Sequence, residues 1–464
     1  MIKLLEMCGF EADEMEEELP RIKKTFGKLG ITAGDIERGK QRLTSYYDME
    51  LKGIRKILRL CFLELVGSVL AREEGKKKIL FGFMAPGFEL IGSVLVSKSR
   101  ELFSAHQCWA ALIVIGGIFD KLIPAFEAAE SLWLKAGRVA HCGNVKSLVG
   151  LLALDIIPKP DLLVTTGFSC ETSPKTIDML HELYGIPICC YDTCQDKEIG
   201  NYYEASKRTI DLAAKSLRSL VRRVQEEVGF EITDDMLWDA LEARSTFNDA
   251  MERLRKLMQN RDPMPMGATH DQLLIALNNL TLGIDMLPEA VRALNTLYEE
   301  LEARVIGGMG VMQKGAPRVL ALLPNHHSDP RLEHLADEMG IALIASDFGF
   351  MVPYEEIPDD PYQMMSLHLM SSLAASLPRR IPLIIEGCRR LNIDGVLDRY
   401  HVGCRSVAGD TMIIKDAVAK ELGIPILLLE WENFDPRAYN HEQYKRRLEI
   451  FKMMLDSAGK NRAP

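Results

Sequence analysis

The chain contains the same strand, loop, helix and strand arrangement twice, with one tripeptide repeated before the last strand of each copy. The first copy has Gly185-Ile186-Pro187 and the second has Gly423-Ile424-Pro425. Glycine is favoured just past the end of a helix. A strand that returns to its sheet through a helix pairs in parallel. The repetition therefore predicts an α/β fold with two similar lobes, each an open parallel sheet of the flavodoxin or Rossmann type.

The chain is long enough for several domains, since it has 464 residues. In the N-terminal part, apolar side chains recur at three- and four-residue spacing between Arg42 and Arg72, which predicts an amphipathic helix. We predict four segments: a helical N-terminal segment at 1–75, a first α/β lobe at 76–200, a helical segment at 201–310 and a second α/β lobe at 311–464.

Charge and hydropathy exclude several classes of partner. The net charge is -10 and the sequence pI is about 5.6, which is unsuited to nucleic acid or to a polybasic contact with a membrane. No signal-peptide pattern opens the sequence. The longest apolar stretch, Cys108 to Phe119, is too short to cross a bilayer and suits a buried segment. We therefore expect a cytoplasmic protein that binds neither nucleic acid nor membrane.

Ten cysteines in a cytoplasmic chain do not indicate a disulfide framework, because that compartment is reducing. They are then buried apolar side chains, metal ligands or catalytic thiols. Cys8, Cys61 and Cys388 lie in helix-like segments and are predicted to fill the core. A denser run is formed by Cys189, Cys190 and Cys194; burial in the core is the simpler interpretation for cysteines in an apolar strand.

Three further cysteines lie in turns or loops, where function is expected. Cys170 and Cys404 each follow a strand-like apolar run, and Cys142 precedes an apolar helix. Open parallel sheets bind ligands at the carboxyl ends of their strands, and a helix N-terminus favours thiolate. Three convergent thiolates on one metal would leave a coordination position open for substrate. For any one of these cysteines alone, an inert buried thiol is the alternative.

A series of motifs runs through both lobes. The second lobe contains Ile393–Leu397, Cys404-Arg405, Gly423–Pro425, Asp435–Arg437 and Glu442–Tyr444, and the first contains Asp161–Cys170 and Tyr184–Pro187. These motifs resemble the 2-hydroxyacyl-CoA dehydratase / benzoyl-CoA reductase family over roughly residues 76–460. The acidic N-terminal 75 residues have no clear counterpart in that family.

The resemblance implies a cofactor and partners. Subunits of this family hold an iron–sulfur cluster, commonly [4Fe–4S], through three cysteines, which correspond here to Cys142, Cys170 and Cys404. They work with a second homologous subunit or a second copy of the chain. A separate ATP-hydrolysing iron–sulfur activator delivers one low-potential electron at a time, and the substrate is an acyl-CoA.

The family's chemistry explains the need for such an electron. The β-proton of a 2-hydroxyacyl-CoA is not acidic, so ordinary base-assisted loss of water is hindered. One electron placed on the thioester carbonyl gives a ketyl radical anion, which expels the neighbouring hydroxyl and makes the β-proton far more acidic. An iron without a fourth protein ligand can bind the substrate oxygen as a Lewis acid.

Four more residues are candidates for the site. Glu89 matches a family glutamate and could transfer protons; a carboxylate that stabilises a helix N-terminus is the alternative. His326 and His327 follow a strand. They could be acid–base groups or could contact CoA, and solvated loop side chains are the alternative. Arg405 could tune the cluster or pair with a CoA phosphate, and an ordinary surface ion pair is the alternative.

Three functions follow from these observations. The first is an iron–sulfur subunit of a 2-hydroxyacyl-CoA dehydratase. The second is a benzoyl-CoA reductase-type subunit, or a reductase with a double-cubane [8Fe–9S] cluster that six cysteines of one subunit hold. In that branch the run from Cys189 to Cys194 would supply extra ligands. The third is a metal-free scaffold that docks a catalytic homologue.

Overall fold

The molecule is an α/β protein with two separate parallel sheets and many helices. It is described from a computed structural model. The residues described are 1–136, 141–168, 170–192, 207–322, 327–350, 357–371, 377–401, 404, 408–432 and 434–460.

The N-terminal segment is helical, as predicted, and contains helices α1 (Ile2–Met7), α2 (Met15–Lys28), α3 (Ala33–Tyr46) and α4 (Lys52–Leu70). The single amphipathic helix predicted between Arg42 and Arg72 is wrong, because the chain leaves the helix at Tyr47. Tertiary contacts cause the break. The backbone N–H of Asp48 donates to His270 over 2.8 Å, and the Asp48 carboxylate pairs with Arg304 at 2.5 Å.

The first sheet has the strand order β2-β1-β3-β4, and all of its neighbouring strands are parallel. Strand β2 is absent from the sequence-based expectations, because its segment Leu-Phe-Ser-Ala-His-Gln mixes polar with apolar residues. Its polar side chains Ser104 and His106 are nevertheless buried. The elements of this lobe are β1 (Lys78–Phe83), α5 (Phe88–Lys98), β2 (Leu102–Gln107), α6 (Trp109–Ala111), a π-helix (Leu112–Ile118), α7 (Ile123–Ala136), α8 (Gly143–Ala153), β3 (Leu162–Thr166), α9 (Thr172–Tyr184) and β4 (Ile188–Tyr191).

A helical segment links the two lobes, as predicted. Thr233 caps the second of its helices, since its side-chain oxygen accepts the backbone N–H of Met236 over 3.3 Å. The helices of this segment are α10 (Lys207–Val228), α11 (Asp234–Gln259), α12 (Asp271–Asn279) and α13 (Leu287–Ile306).

The second sheet repeats the topology of the first, with the strand order β6-β5-β7-β8 and parallel pairing throughout. The repeated glycines take the same conformation: Gly185 has φ of 66° and Gly423 has φ of 63°, each just past a helix end. The elements are β5 (Arg318–Leu322), α14 (Arg331–Glu338), β6 (Ala342–Ser346), α15 (Pro361–Ser371), α16 (Leu377–Arg390), β7 (Gly395–Asp398), α17 (Thr411–Leu422), β8 (Ile426–Leu428) and α18 (His441–Lys460).

This topology indicates where ligands are expected to bind. In both sheets the first and third strands in chain order lie side by side, so the connections leave in opposite directions from the crevice between them. Cys170 follows β3 and Cys404 follows β7. The two cysteines therefore occupy equivalent positions at the two crevices, and the two-lobed α/β prediction is confirmed.

Buried apolar side chains hold the N-terminal helices against the first sheet and against α11 to α13. The second sheet has a core of its own. Helices α4 and α13 approach so closely that a Cβ on Gly53 would lie 2.6 Å from the Cα of Leu297. Only glycine permits this contact without displacement of the backbone.

Gly53→Ala should lower the free energy of unfolding by about 1–3 kcal/mol, because the added methyl overpacks a contact between two backbones. Gly27→Ala is the matched control, since a Cβ there has no atom within 4 Å. The control should leave stability unchanged or raise it by up to about 1 kcal/mol. Urea unfolding of both variants measures this, and equal stabilities would contradict the close approach of α4 and α13.

Candidate functional site

Cys142 begins helix α8 at its N-cap position. The thiol is surrounded by protein, and burial raises its pKa, with the Glu432 carboxylate adding to the effect. The backbone N–H groups of Val145 and Asn144 donate toward the sulfur and act in the opposite direction. A thiol in this environment stays neutral on its own, whereas coordination to a metal deprotonates it.

Cys170 lies in the loop between β3 and α9, beside Cys142. Its sulfur is 3.2 Å from the hydroxyl of Thr172, and its carbonyl accepts the backbone N–H of Ser173 over 3.2 Å. The Cys170 thiol is close enough to Cys142 to raise the pKa of Cys142. Two of the predicted ligands are therefore neighbours at the crevice of the first lobe.

Cys404 lies in the equivalent loop of the second lobe. Its backbone N–H donates to the carbonyl of His401 over 2.9 Å, and its carbonyl accepts the N–H of Ala408 over 2.8 Å. His401 is itself paired with Trp431 as a parallel bridge. The Cys404 loop is therefore anchored to the chain segment that continues into Glu432.

Glu432 joins the loops of Cys142 and Cys404. One of its carboxylate oxygens, Oε1, accepts the backbone N–H of Gly143 over 2.9 Å and lies 3.7 Å from Nε2 of His401. A Cβ on Gly143 would lie 2.8 Å from the backbone carbon of Phe434, so glycine permits this approach. The first-lobe helix α8 thus begins directly against the second-lobe segment that anchors Cys404.

An ion-pair network continues this joint between the lobes. Glu130 on α7 pairs with Lys146 at 2.9 Å and with Arg437 of the second lobe at 2.7 Å. Asp435 lies 3.6 Å from Lys146. Hydrogen bonding from Arg437 is the main reason why the pKa of Glu130 falls to about 2. The network holds α7, α8 and the second lobe together around the cysteine loops.

The donor set fits an iron–sulfur cluster in its chemistry, because thiolates are the usual ligands of such clusters. Cys142, Cys170 and Cys404 are each buried only in part, whereas the core cysteines are fully buried. Within the described ranges, no group of three or more His, Cys, Asp or Glu side chains is already arranged to hold a metal ion. Residues 402–403 and 405–407, on either side of Cys404, lie outside the described residues.

The other predicted site residues have different outcomes. Glu89 lies in the first turn of α5, and its carboxylate accepts the backbone N–H of Gly87 over 2.7 Å. Burial raises the pKa of this carboxyl group. His327 is buried between the rings of Trp109 and Phe434, so the solvated-loop alternative is wrong for it. His326 and Arg405 lie outside the described residues.

The remaining cysteines divide into two groups. The core prediction is confirmed for Cys8, Cys61 and Cys388, which are buried. It is wrong for the strand that contains the cysteine run: Cys190 is exposed and Cys189 is half-buried, because β4 is the edge strand of its sheet. Cys194 lies outside the described residues.

Sequence reasoning missed some members of the site. Cys108 follows β2 directly, is buried, and lies close enough to Cys142 for the two thiols to interact. Recognition of β2 would have placed it at the carboxyl edge of the sheet. Glu432 acts through a contact between the lobes, and His401 contacts Glu432 within the second lobe. No local pattern in the sequence indicates either contact.

Comparison with known proteins decides the family. The model of the family described as 2-hydroxyglutaryl-CoA dehydratase, D-component, matches residues 111–455, which include Cys142, Cys170 and Cys404. The chain belongs to the 2-hydroxyglutaryl-CoA dehydratase D-component family. Glu89, His106 and Cys108 precede the matched region.

One curated relative of this family member is a benzoyl-CoA reductase subunit from Thauera aromatica. It is 23% identical over 344 residues, which cover 69% of this chain and 78% of the relative. A solved structure of the SBP FpvC with Ni2+ from P. aeruginosa is 11% identical and covers 84% of this chain and 99% of its own. Its TM-score of 0.18 is too low to support a structural comparison. The described helices include none that is both long and apolar enough to cross a membrane.

Glu432→Ala should lower the free energy of unfolding by about 1–3 kcal/mol, because it leaves the Gly143 N–H without its buried acceptor. Glu430→Ala is the matched control; Glu430 is exposed and bonds only the Tyr400 hydroxyl among the described residues, at 3.3 Å. The control should change stability by about 0.5 kcal/mol or less. Denaturant unfolding compares the two, and equal losses would contradict the role of Glu432 at the joint.

The charge of Glu432 should make stability depend on pH. Burial raises its pKa in the folded protein to about 7, against about 4.3 in an unfolded chain. The folded state binds this proton more tightly, so the stabilising contribution is complete below about pH 4.3 and is lost as pH rises through about 7. As pH rises from 5 to 8, the free energy of unfolding of Glu432→Gln should therefore increase by about 1–3 kcal/mol relative to that of the original protein. A pH-independent difference would contradict the raised pKa.

Proposed function

We propose that the chain is an iron–sulfur subunit of a 2-hydroxyacyl-CoA dehydratase-type enzyme. Cys142, Cys170 and Cys404 would hold its [4Fe–4S] cluster. One observation carries the proposal: the bond from Gly143 to Glu432 brings the Cys404 anchor against the helix that begins beside Cys142 and Cys170. Membership in the dehydratase family supports the same assignment.

When bound, such a cluster supplies a low-potential electron and an iron that has one position free for a substrate oxygen. The protein's own residues then have defined tasks. Glu89, fixed by Gly87, would accept the β-proton of the substrate. His327 would exclude water with Trp109 and Phe434. For His326 and Arg405 we keep the proposed roles of proton transfer and of contact with the cluster or a CoA phosphate.

The reaction that we propose is redox-neutral overall. An electron enters at the thioester carbonyl of a 2-hydroxyacyl-CoA, and the C2–O bond breaks to release hydroxide. The β-carbon then loses a proton to a base, and the electron leaves again from the product radical. The sum is loss of one water and formation of a carbon–carbon double bond.

The partners follow from the same proposal. A second homologous subunit or a second copy of the chain would complete the enzyme, and an ATP-dependent iron–sulfur activator would deliver the electron. The family takes its description from one component of a dehydratase, and the curated relative is one subunit of a reductase. Both descriptions support a multi-subunit assembly. The substrate would be an acyl-CoA.

A reductase is the second candidate, and two observations favour it. The curated relative is a benzoyl-CoA reductase subunit. In addition, the exposed Cys190 accepts a backbone N–H from Gly167, at the start of the Cys170 loop. A thiol in that place could extend the ligand set toward a double-cubane [8Fe–9S] cluster. A metal-free scaffold is the remaining alternative.

Cys404→Ser should reduce bound iron and abolish turnover while the fold is retained, because oxygen is a poor substitute for a cluster thiolate. Iron and acid-labile sulfide are measured on anaerobically purified protein, with circular dichroism as the check on folding. Cys61→Ala is the matched control, since Cys61 is buried in the core within α4 and is not one of the proposed ligands, and this variant should keep its iron.

The iron content of the unmodified protein separates the three functions. About four iron atoms per chain fit the dehydratase or benzoyl-CoA reductase subunit, and about eight fit the double cubane. Absence of iron after anaerobic purification supports the scaffold. Full iron content in Cys404→Ser would contradict the ligand assignment itself.

A further inference from the structure

A second polar site lies beside the cysteines, around the turn that follows β1. Three side chains are hydrogen-bonded to this turn, Ala85 to Gly87. His106 accepts the N–H of Ala85 at 3.2 Å, Glu89 accepts the N–H of Gly87 at 2.7 Å, and the Tyr191 hydroxyl donates to the carbonyl of Pro86. The turn therefore holds an imidazole, a carboxylate and a phenol close together.

Arg244 lies on α11, which packs against α5, and its charge acts on both Glu89 and His106. Its side chain is buried, and one guanidinium nitrogen, Nη2, donates to the carbonyl and side-chain oxygens of Asn278. Its Nε is buried without an acceptor in the part of the chain that the structure describes. Arg244 has no ion pair among the described residues; burial lowers its pKa, and nearby Glu89 partly offsets that effect. One buried N–H of the guanidinium could therefore donate a hydrogen bond to a ligand.

His106 provides a second buried donor. Because Nε2 accepts the Ala85 N–H, the neutral ring carries its proton on Nδ1, and no described residue accepts a hydrogen bond from that atom. Burial and the charge of Arg244 lower the pKa of His106 to about 4, so the ring is neutral near pH 7. The neutral imidazole and the guanidinium are both hydrogen-bond donors here, so a ligand that binds both must be a hydrogen-bond acceptor.

These side chains lie next to the cysteine site. Glu89 is partly exposed, whereas Arg244 and His106 are buried. Leu369 of α15 closes one side, since it lies 3.5 Å from where a Cβ on Gly87 would be. On the other side, the sulfur of Met84 accepts the side-chain N–H of Asn144, two residues after Cys142, at 3.3 Å.

We propose that Arg244 and His106 form a binding site for an acyl oxygen of the substrate, a carbonyl or carboxylate oxygen that accepts from Nε of Arg244 and Nδ1 of His106. This inference rests on the proposed function, because it names the part of an acyl-CoA that the site receives. Two sources carry this chemistry: the thioester carbonyl and a carboxylate at the far end of a dicarboxylic acyl group.

The test uses two acyl-CoA probes that differ only at the far end of the chain, glutaryl-CoA with a carboxylate and pentanoyl-CoA with a methyl group. Free glutarate is the third probe. Calorimetric titration of anaerobically purified protein measures each affinity. Arg244→Gln and His106→Phe should weaken binding at least about tenfold, the loss of one good hydrogen bond to a charged or buried group. Loss with both thioesters assigns the site to the thioester carbonyl, and loss with glutaryl-CoA and glutarate alone assigns it to the carboxylate.

Arg253→Gln is the matched control, because Arg253 is an exposed arginine of the same helix that bonds Asn295. Circular dichroism and thermal unfolding check that each variant folds, and His106→Phe serves if loss of the Asn278 contact unfolds Arg244→Gln. Folded variants that bind all probes like the original protein would show that Arg244 only holds α12, and the site would be refuted.

Failure of this site and failure of the proposed function give different results. If the original protein binds the thioesters and both variants bind them equally well, the site is wrong while the function stands. If the protein lacks iron but binds glutarate through Arg244, the site stands and the function fails. If the original protein binds none of the three probes, the site is refuted.

Discussion

The candidate site depends on one contact between the lobes, the hydrogen bond from the backbone N–H of Gly143 to the carboxylate of Glu432. Each lobe supplies a cysteine loop at its own crevice, and neither loop alone could surround a cluster. The contact is possible because residue 143 has no side chain to separate α8 from Phe434. Ion pairs of Glu130 with Lys146 and Arg437 support it on the outer side. Such a joint fixes the cysteine loops before any metal binds, which lowers the entropic cost of assembling a ligand set.

The repeated topology places cysteines from distant parts of the chain at equivalent positions in the two lobes. Both sheets have the same strand order, so both have a crevice at the carboxyl ends of their first and third strands. Cys170 and Cys404 follow corresponding strands, and the joint connects the helix that begins at Cys142 with the segment that anchors Cys404. The turn after β1, which is linked to Glu89, His106 and Tyr191, lies on the same edge as Cys170. We infer that metal and substrate share this edge, with the thiols on one side and the polar donors on the other.

The sequence predicts the parts of the fold that follow from local patterns. The repeated Gly-Ile-Pro, the apolar strands and the Thr233 cap led to the two lobes and to the positions of Cys170 and Cys404. Elements that depend on tertiary contacts were not predicted from the sequence. Strand β2 has polar residues that only their buried surroundings explain, and its omission hid Cys108 and His106. The break after Tyr46 depends on His270 and Arg304, more than two hundred residues away. Glu432 and Arg244 belong to the same class, because their partners lie on other elements.

The central proposition is that thiolates from both lobes bind one cluster. A crystal structure of the protein, purified and crystallised without oxygen, tests this most directly through the anomalous signal of iron. We expect one cluster at the joint, with the sulfurs of Cys142, Cys170 and Cys404 each bonded to a different iron and the fourth iron free of protein ligands. Iron bound elsewhere, or a cluster at the joint held without the sulfur of Cys404, would contradict it.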